Sequence, residues 1–291
     1  MLLNLPSLPI LESPCGCRTG FVRRGSFRRK SDRARIQRYQ CIGCHRSFSE
    51  ATSSPCFNQK KRQFNVTIFK LLTGGYSQRR AALDLRINRK TVVRTFLLLG
   101  RYSHELLFST NLEYPLAKTF QFDDLETFEH SKCKPLSVTL AVEQGSRRIL
   151  GFRVAQMPAK GKLAELARKR YGKRQDHRSF KRADLFSELQ HLVAPDAIIK
   201  SDQSPHYPEY VKRFFPGCTH QAYKGRRGCV VGQGELKRGG FDPIYSLNHT
   251  CAMLRANINR LFRKTWCTTK LAERLSCHIA IYSLRHNLDL I

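Results

Sequence analysis

Two groups of residues in this chain have the type and spacing to do chemistry. Cys15-Gly16-Cys17 is followed 24 residues later by Cys41-Ile42-Gly43-Cys44. Two thiol pairs flanking a short β-prone stretch give the spacing of a four-thiolate zinc ribbon. The one-residue gap in the first pair departs from the usual two, and His45 and Cys56 are alternative ligands. The second group is acidic: Asp123, Asp124, Glu126 and Glu129 fall within seven residues. Acids clustered in a basic chain point to a cation site facing a phosphate backbone. The alternative is a solvated acidic loop.

The rest of the chain sets the context for both groups. It has 291 residues, with 52 Lys and Arg against 22 Asp and Glu, for a formal charge of +30. So large an excess implies a polyanionic partner, most simply nucleic acid. Residues 1–100 carry 20 basic and 4 acidic side chains, residues 101–150 carry 6 and 7, and residues 151–291 carry 26 and 11. Apolar residues make up 41%, enough for a proper core. Eleven cysteines, an odd number in a long chain, read as reduced thiols with one metal site rather than a disulfide framework. No run approaches the roughly 18 apolar residues of a membrane helix. The apolar start lacks basic residues and is broken by Pro6 and Pro9, so no signal peptide is expected. These features predict an intracellular chain with no membrane association.

The elements that must position the chemistry follow in order. Phe21 to Lys30 reads as a basic hairpin, and Ile36 to Gln40 leads into the second cysteine pair. Zinc would replace the core that some fifty residues cannot build alone. Residues 64–100 read as three helices. Val66, Phe69, Leu71 and Leu72 face one way up to Gly74-Gly75, Ser77 caps a second helix through Leu85, and Asn88 caps a third that Gly100 stops. Ala82, Leu85, Val92, Val93 and Phe96 pack the last two together. Arg79 lies on the second helix, and Arg89, Lys90 and Arg94 lie on the open face at the start of the third. That is where a recognition helix meets base edges and phosphates.

Beyond residue 118 the predicted order is three strands, helix, strand, helix, strand, helix. The strands are 119–122 running into Asp123-Asp124, then 136–143, 148–155, 197–201 ending at Asp202, and 220–223. The helices cover about 161–171, 181–193, 207–215 and 249–264. This is the order of an α/β, ribonuclease-H-like mixed sheet, whose first and fourth strands are neighbours. That pairing joins Asp123 to Asp202, and two adjacent carboxylates repel unless a cation such as Mg²⁺ lies between them. The alternative roles are a strand-end turn for Asp123 and a helix cap for Asp202.

Taken together, the cysteine pairs, Ser77-Gln78-Arg79, Asn88 to Val92, Phe122-Asp123-Asp124, Ser201-Asp202 and the stretch from Asn248 to Trp266 resemble bacterial insertion-sequence transposases. The subgroup has a zinc-ribbon and helix-turn-helix front end and a DDE-type catalytic core. The resemblance implies a ribbon at 1–58, a helix-turn-helix at 59–112, and a catalytic domain at 113–291 with a basic insertion at 160–182. It implies Mg²⁺- or Mn²⁺-dependent cleavage and strand transfer on double-stranded DNA, element ends and target alike. A cytoplasmic, nucleoid-associated protein working as a dimer or higher oligomer is expected. Asp123 and Asp202 match the first two catalytic acids. The third acid's position falls on Asn248, whose carbonyl can ligate a metal without charge. Asn248 is otherwise a helix N-cap, with Glu235 or Asp242 swinging in as the third ligand.

Arg255 follows Asn248 by two helical turns on the same face, and with Arg260, Arg263 and Lys264 it can hold phosphates near the metals. A solvated basic face is the plainer role for these residues. His249 is a proton-shuttle candidate or a structural histidine. The insertion, from Lys160 to Arg182, reads as a DNA-tracking surface whose affinity falls with salt. Two other functions compete: a DNA-binding regulator with a decayed nuclease core, and a nuclease or RNA-processing enzyme on the same fold.

Overall fold

Residues 117–156 supply three of the five strands of the larger sheet, two of them buried along most of their length. The computed structural model describes residues 15–17, 20–52, 54–224, 240–262 and 267–290. Glu235, Arg263, Lys264 and Trp266 lie outside the described residues. The chain divides into two units, residues 1–71 with 77–102 and residues 72–76 with 103–291. It is mixed α/β, with eight α-helices among the described residues.

In the first unit, strands β1 (Phe21–Arg28), β2 (Arg35–Cys41) and β3 (Ser47–Ser49) form an antiparallel sheet in that order. The hairpin expected within 21–30 is instead one strand, and the turn falls at 29–34. Gly25, at φ +72°, sits in a bulge between Arg23 and Ser26 and does not reverse the chain. The reversal is set by Asp32, which accepts from Arg29 Nε at 2.8 Å, with Arg33 at φ +60°. Phe21, Tyr39 and Phe48 pack their rings at 5.2–5.6 Å and supply a small aromatic core.

Helices α1 (Asn65–Thr73), α2 (Gln78–Asp84) and α3 (Arg89–Leu112) follow. The expected caps are present. Ser77 Oγ accepts from Arg80 N at 3.2 Å, and Asn88 Oδ1 accepts from Lys90 N at 2.8 Å. Ala82, Val92 and Phe96 are buried, while Leu85 and Val93 are half-buried. Gly100 does not stop α3. A mid-helix glycine costs only about 1 kcal/mol, and the buried face continues through Leu99, Ser103, Leu107 and Asn111.

The second unit is organised by a five-stranded sheet. Its strands are β4 (Ala117–Phe128), β5 (Pro135–Glu143), β6 (Ile149–Gln156), β7 (Val193–Asp202) and β8 (Thr219–Tyr223), in the order β6-β5-β4-β7-β8. β4 pairs antiparallel with β5 and parallel with β7, so the first and fourth strands are neighbours at the centre. Helices α4 (Leu163–Tyr171), α5 (Arg178–Leu189), α6 (Tyr207–Phe214), α7 (Tyr245–Asn257) and α8 (Ala272–Asp289) complete the unit.

Two hydrophobic clusters fill opposite faces of this sheet. Phe120, Phe122 and Ile199 pack with α5 and α6 residues including Phe186 and Val211. Leu125, Leu140 and Phe152 pack with Leu247, Cys251 and Leu254 of α7 and Ile279 of α8. A Cβ on Gly151 of β6 would lie 2.8 Å from Leu185 Cδ1, so α5 lies close against the sheet there.

The last helices differ from expectation. α7 starts at Tyr245 and ends at Asn257, because Ile258 between two asparagines is extended. α8 was not anticipated. Its buried face mixes His278, Ser283 and Asn287 with apolar residues, which blurs the helical period. Asn287 is a structural clamp, holding Ile149 N at 2.8 Å and Ile149 O at 3.0 Å.

Candidate active site

The acidic stretch is resolved by asking which carboxylates have cationic partners. Glu126 pairs with Lys160 at 3.0 Å in an exposed contact. Glu129 pairs with Arg174 at 3.1 Å and Lys134 at 3.3 Å. Asp124 is held by buried Arg182 at 2.7 Å and by Thr139 Oγ1 at 2.5 Å. Arg182 in turn lies over the rings of Tyr207 and Tyr210, at 4.7 and 5.2 Å. Asp123 differs. Its Oδ1 accepts from Tyr207 Oη at 3.1 Å and from Asp124 N at 2.7 Å, both uncharged donors.

Strand geometry explains the split. Successive side chains alternate between sheet faces, so Asp124 turns with Phe122 toward α5, and Asp123 turns with Gln121 and Leu125 toward α7. The parallel register pairs Gln121 with Lys200. The pairing ends there, and continuing the same register by two residues along both strands sets Asp123 beside Asp202 on the same face. Burial first, and then the Asp202 charge, pushes Asp123 up to about 7. Burial also raises Asp202, whose Oδ1 accepts from Ser204 N at 3.1 Å. Asp124 adds to the rise of Asp202, so both carboxylates are desolvated beside a like charge, a donor set of the kind that a divalent cation satisfies.

Asn248 lies in the first turns of α7. It is not the N-cap, which is Ile244; the Asn248 N–H donates to Ile244 O at 3.1 Å, so the residue is already within the helix. Its side chain donates from Nδ2 to Asp242 Oδ2 at 2.9 Å. The start of α7 is pinned to β4 through Gln121, which accepts from Leu247 N at 2.9 Å and donates to Pro243 O at 3.2 Å. One turn beyond Asn248, burial pushes Cys251 up to about 12, and the Asp123 carboxylate adds to that rise. The His249 ring meets the Arg147 guanidinium at 3.1 Å and packs on Tyr245 at 5.6 Å.

The four expected zinc ligands also converge. The sulfurs of Cys15, Cys17, Cys41 and Cys44 all lie within 4.8 Å of one another. A tetrahedron of Zn–S bonds about 2.3 Å long has edges of about 3.8 Å, so the group is of the right size. Gly16, at φ +77°, makes the one-residue gap workable by turning the chain where a side chain would be strained. Thiol contacts with Cys15 and then Cys44 push Cys17 up to about 12, a crowding that a bound cation relieves. Neither alternative ligand belongs to the group: Cys56 is buried elsewhere, accepting from Asn65 Nδ2 at 3.4 Å, and His45 lies outside it.

No protein-family model matches this chain, and no curated protein matches it.

The basic residues are less uniform than their sequence suggests. Arg79, Arg89, Lys90 and Arg94 are all exposed on α2 and the first turns of α3. Arg255 and Arg260 line a cleft of about 690 Å³ with Lys132, His130 and the end of β4. Burial lowers the Arg260 pKa, and its Nη1 donates to Thr268 O at 3.3 Å. In the insertion, Arg168, Lys169, Arg170 and Lys173 are exposed. Arg182 is buried on Asp124 and faces no solvent, so it cannot belong to a tracking surface. Composition alone could not single out Arg182, Thr139, Tyr207 or Gln121. No helix among the described residues is long and apolar enough to cross a membrane.

Proposed function

We propose that this chain is a DNA transposase of the insertion-sequence DDE class, with a zinc ribbon, a helix-turn-helix and a ribonuclease-H-like catalytic core. One observation carries the reading. Asp123, which accepts hydrogen bonds from uncharged donors, stands on the central strand two residues beyond the Gln121–Lys200 pair, beside the parallel strand that ends in Asp202, and feels the Asp202 charge. The strand order β6-β5-β4-β7-β8, with helices on both faces, supports the same core.

Asp123 and Asp202 would hold Mg²⁺ or Mn²⁺, with Asn248 as a neutral third ligand. The bound metal supplies Lewis acidity for activating a hydroxyl and stabilising a leaving oxygen. Tyr207, kept protonated by burial, fixes one oxygen of Asp123 and leaves the other for ligation. Arg182 neutralises Asp124, which keeps that acid from drawing the cation away. In strand transfer a 3′-hydroxyl oxygen attacks phosphorus in the target strand. A new P–O bond forms, the old P–O3′ bond breaks, and the proton moves to solvent or to the departing 3′-oxygen.

Cys15, Cys17, Cys41 and Cys44 would hold Zn²⁺ and order the β1–β3 sheet. Arg89, Lys90 and Arg94 would meet duplex DNA at the start of α3, with Arg79 on phosphate. Arg255 and Arg260 would face DNA near the acids. Synapsis of two element ends calls for a homodimer or larger assembly on DNA.

Strand joining separates this reading from its competitors. A labelled duplex from the element end, pre-cut to a free 3′-hydroxyl, is incubated with plasmid and Mn²⁺. The label becomes covalently attached to plasmid if the chain is a transposase. Plasmid cutting without attachment indicates a nuclease. End binding without either product indicates a DNA-binding regulator, the reading that an uncharged Asn248 favours.

A further inference from the structure

Asp242 and Asn248 are joined by a hydrogen bond that no metal-ligand role requires. We infer that Asp242 is a positioning residue that fixes which end of the Asn248 amide faces the cation, an inference that rests on the metal centre proposed above. An asparagine presents two chemically opposite ends, an accepting oxygen and a donating NH₂, and only the oxygen ligates a metal. A carboxylate accepts hydrogen bonds. With Asp242 Oδ2 2.9 Å from the Asn248 side chain, the NH₂ is committed to Asp242 and Oδ1 is the end left for a cation. Asp242 is itself anchored, because its Oδ1 accepts from Ile244 N at 3.0 Å ahead of α7.

The placement of Asn248 beside the acids follows from three contacts. Gln121 of β4 bonds to Pro243 and Leu247 at the start of α7. Further along, Leu125 to Phe128 share a cleft with Arg255 and Arg260, so strand and helix run in the same direction. Two residues of strand rise about 6.6 Å, the rise of about four residues of helix. Asp123 therefore comes level with residues 247–251, on the sheet face that α7 covers. The charge of Asp123 is felt at Cys251, one turn from Asn248 on the same helical strip.

A carboxylate at position 248 would need no such device, since both its ends are oxygens. Asp242 is the counterpart of having an amide there, and it would repel a carboxylate in the same place. The sign of its effect should therefore depend on residue 248.

The test is Mn²⁺ affinity of the zinc-loaded full-length chain, measured from the electron paramagnetic resonance of free Mn²⁺. Asp242→Asn keeps the shape and the oxygen that accepts from Ile244 N but turns an NH₂ toward Asn248, forcing its amide to flip. Binding should weaken about 10-fold, as for other residues that orient metal ligands. Asp242→Ser, which keeps an oxygen for Ile244 N and withdraws the one Asn248 uses, should weaken it similarly. In an Asn248→Asp chain, Asp242→Asn should leave binding unchanged or tighten it.

Unchanged affinity for Asp242→Asn in the native background would overturn the inference. Equal weakening in both backgrounds would also overturn it, by making Asp242 a ligand itself. Asp123→Asn is the control for the centre. If Mn²⁺ binding survives that change, the metal-centre reading fails and the inference fails with it. If binding is lost with Asp123→Asn but indifferent to Asp242, the inference alone fails.

Discussion

At the scale of single residues, the site is defined by which charges are already satisfied. Four acids within seven residues look equivalent in sequence, but lysine and arginine partners account for Asp124, Glu126 and Glu129. Asp123 is the one set apart. Charge counting is blind to burial, which is why Arg182 reads as part of a DNA-tracking surface until its 2.7 Å contact with Asp124 is seen. Breaking a buried pair leaves an uncompensated charge, at a cost of about 3–5 kcal/mol. Arg182→Met should therefore destabilise the fold by roughly that amount in urea unfolding, and adding Asp124→Asn should recover most of it. A loss below about 0.5 kcal/mol, the usual range for surface substitutions, would mean the pair is not structural. The cysteines teach a related lesson. The short gap between Cys15 and Cys17 looks unsuitable for a shared site until Gly16 is found at positive φ.

Elements were easier to read than residues. β5, β6 and β8 match their apolar patterns closely, while β4 runs on from the expected 119–122 to Phe128, so Asp123 lies within the strand and not at a strand-end turn; the central pairing of β4 with β7 follows from the strand order. The misreadings have physical causes. α3 runs through Gly100 because its buried face continues, and α8 hides its period behind buried polar groups. His278 of α8 is fully enclosed, and burial, aided by Arg260, pushes it down to about 3. An unfolded histidine titrates near 6.5. Between these values the unfolded chain takes up a proton that the folded chain refuses. The stability contributed by neutral His278 is present above about pH 6.5 and lost as pH falls, by up to about 1.4 kcal/mol per unit. His278→Gln should flatten the fall in urea midpoint between pH 6.5 and 4.5, and an unaltered slope would show that this histidine does not set the acid limb.

For the whole molecule, two units of different origin of stability share one chain. The 21–49 sheet has a small aromatic core and four converging thiols, whereas the five-stranded sheet has packed clusters on both faces. Zinc binding is expected to be folding free energy for the first and to leave the stability of the second unchanged. A thiol-competing chelator should therefore abolish amide-exchange protection across residues 21–49 and spare β4 to β8. Protection unchanged in 21–49 would remove zinc from the account. The charge of +30 and the exposed arginines of α2 and α3 are the features on which the proposed DNA binding rests. The proposed function assigns the cutting and joining of that DNA to the acids on the paired strands β4 and β7. The most direct test of that claim mixes the chain with duplex DNA flanking its own gene, in Mg²⁺ or Mn²⁺, and maps strand breaks to the nucleotide. Metal-dependent nicks at a discrete pair of inverted end sequences, lost in Asp202→Asn with end binding retained, are the predicted result. Binding without any break in either metal, or breaks that persist in Asp202→Asn, would contradict it.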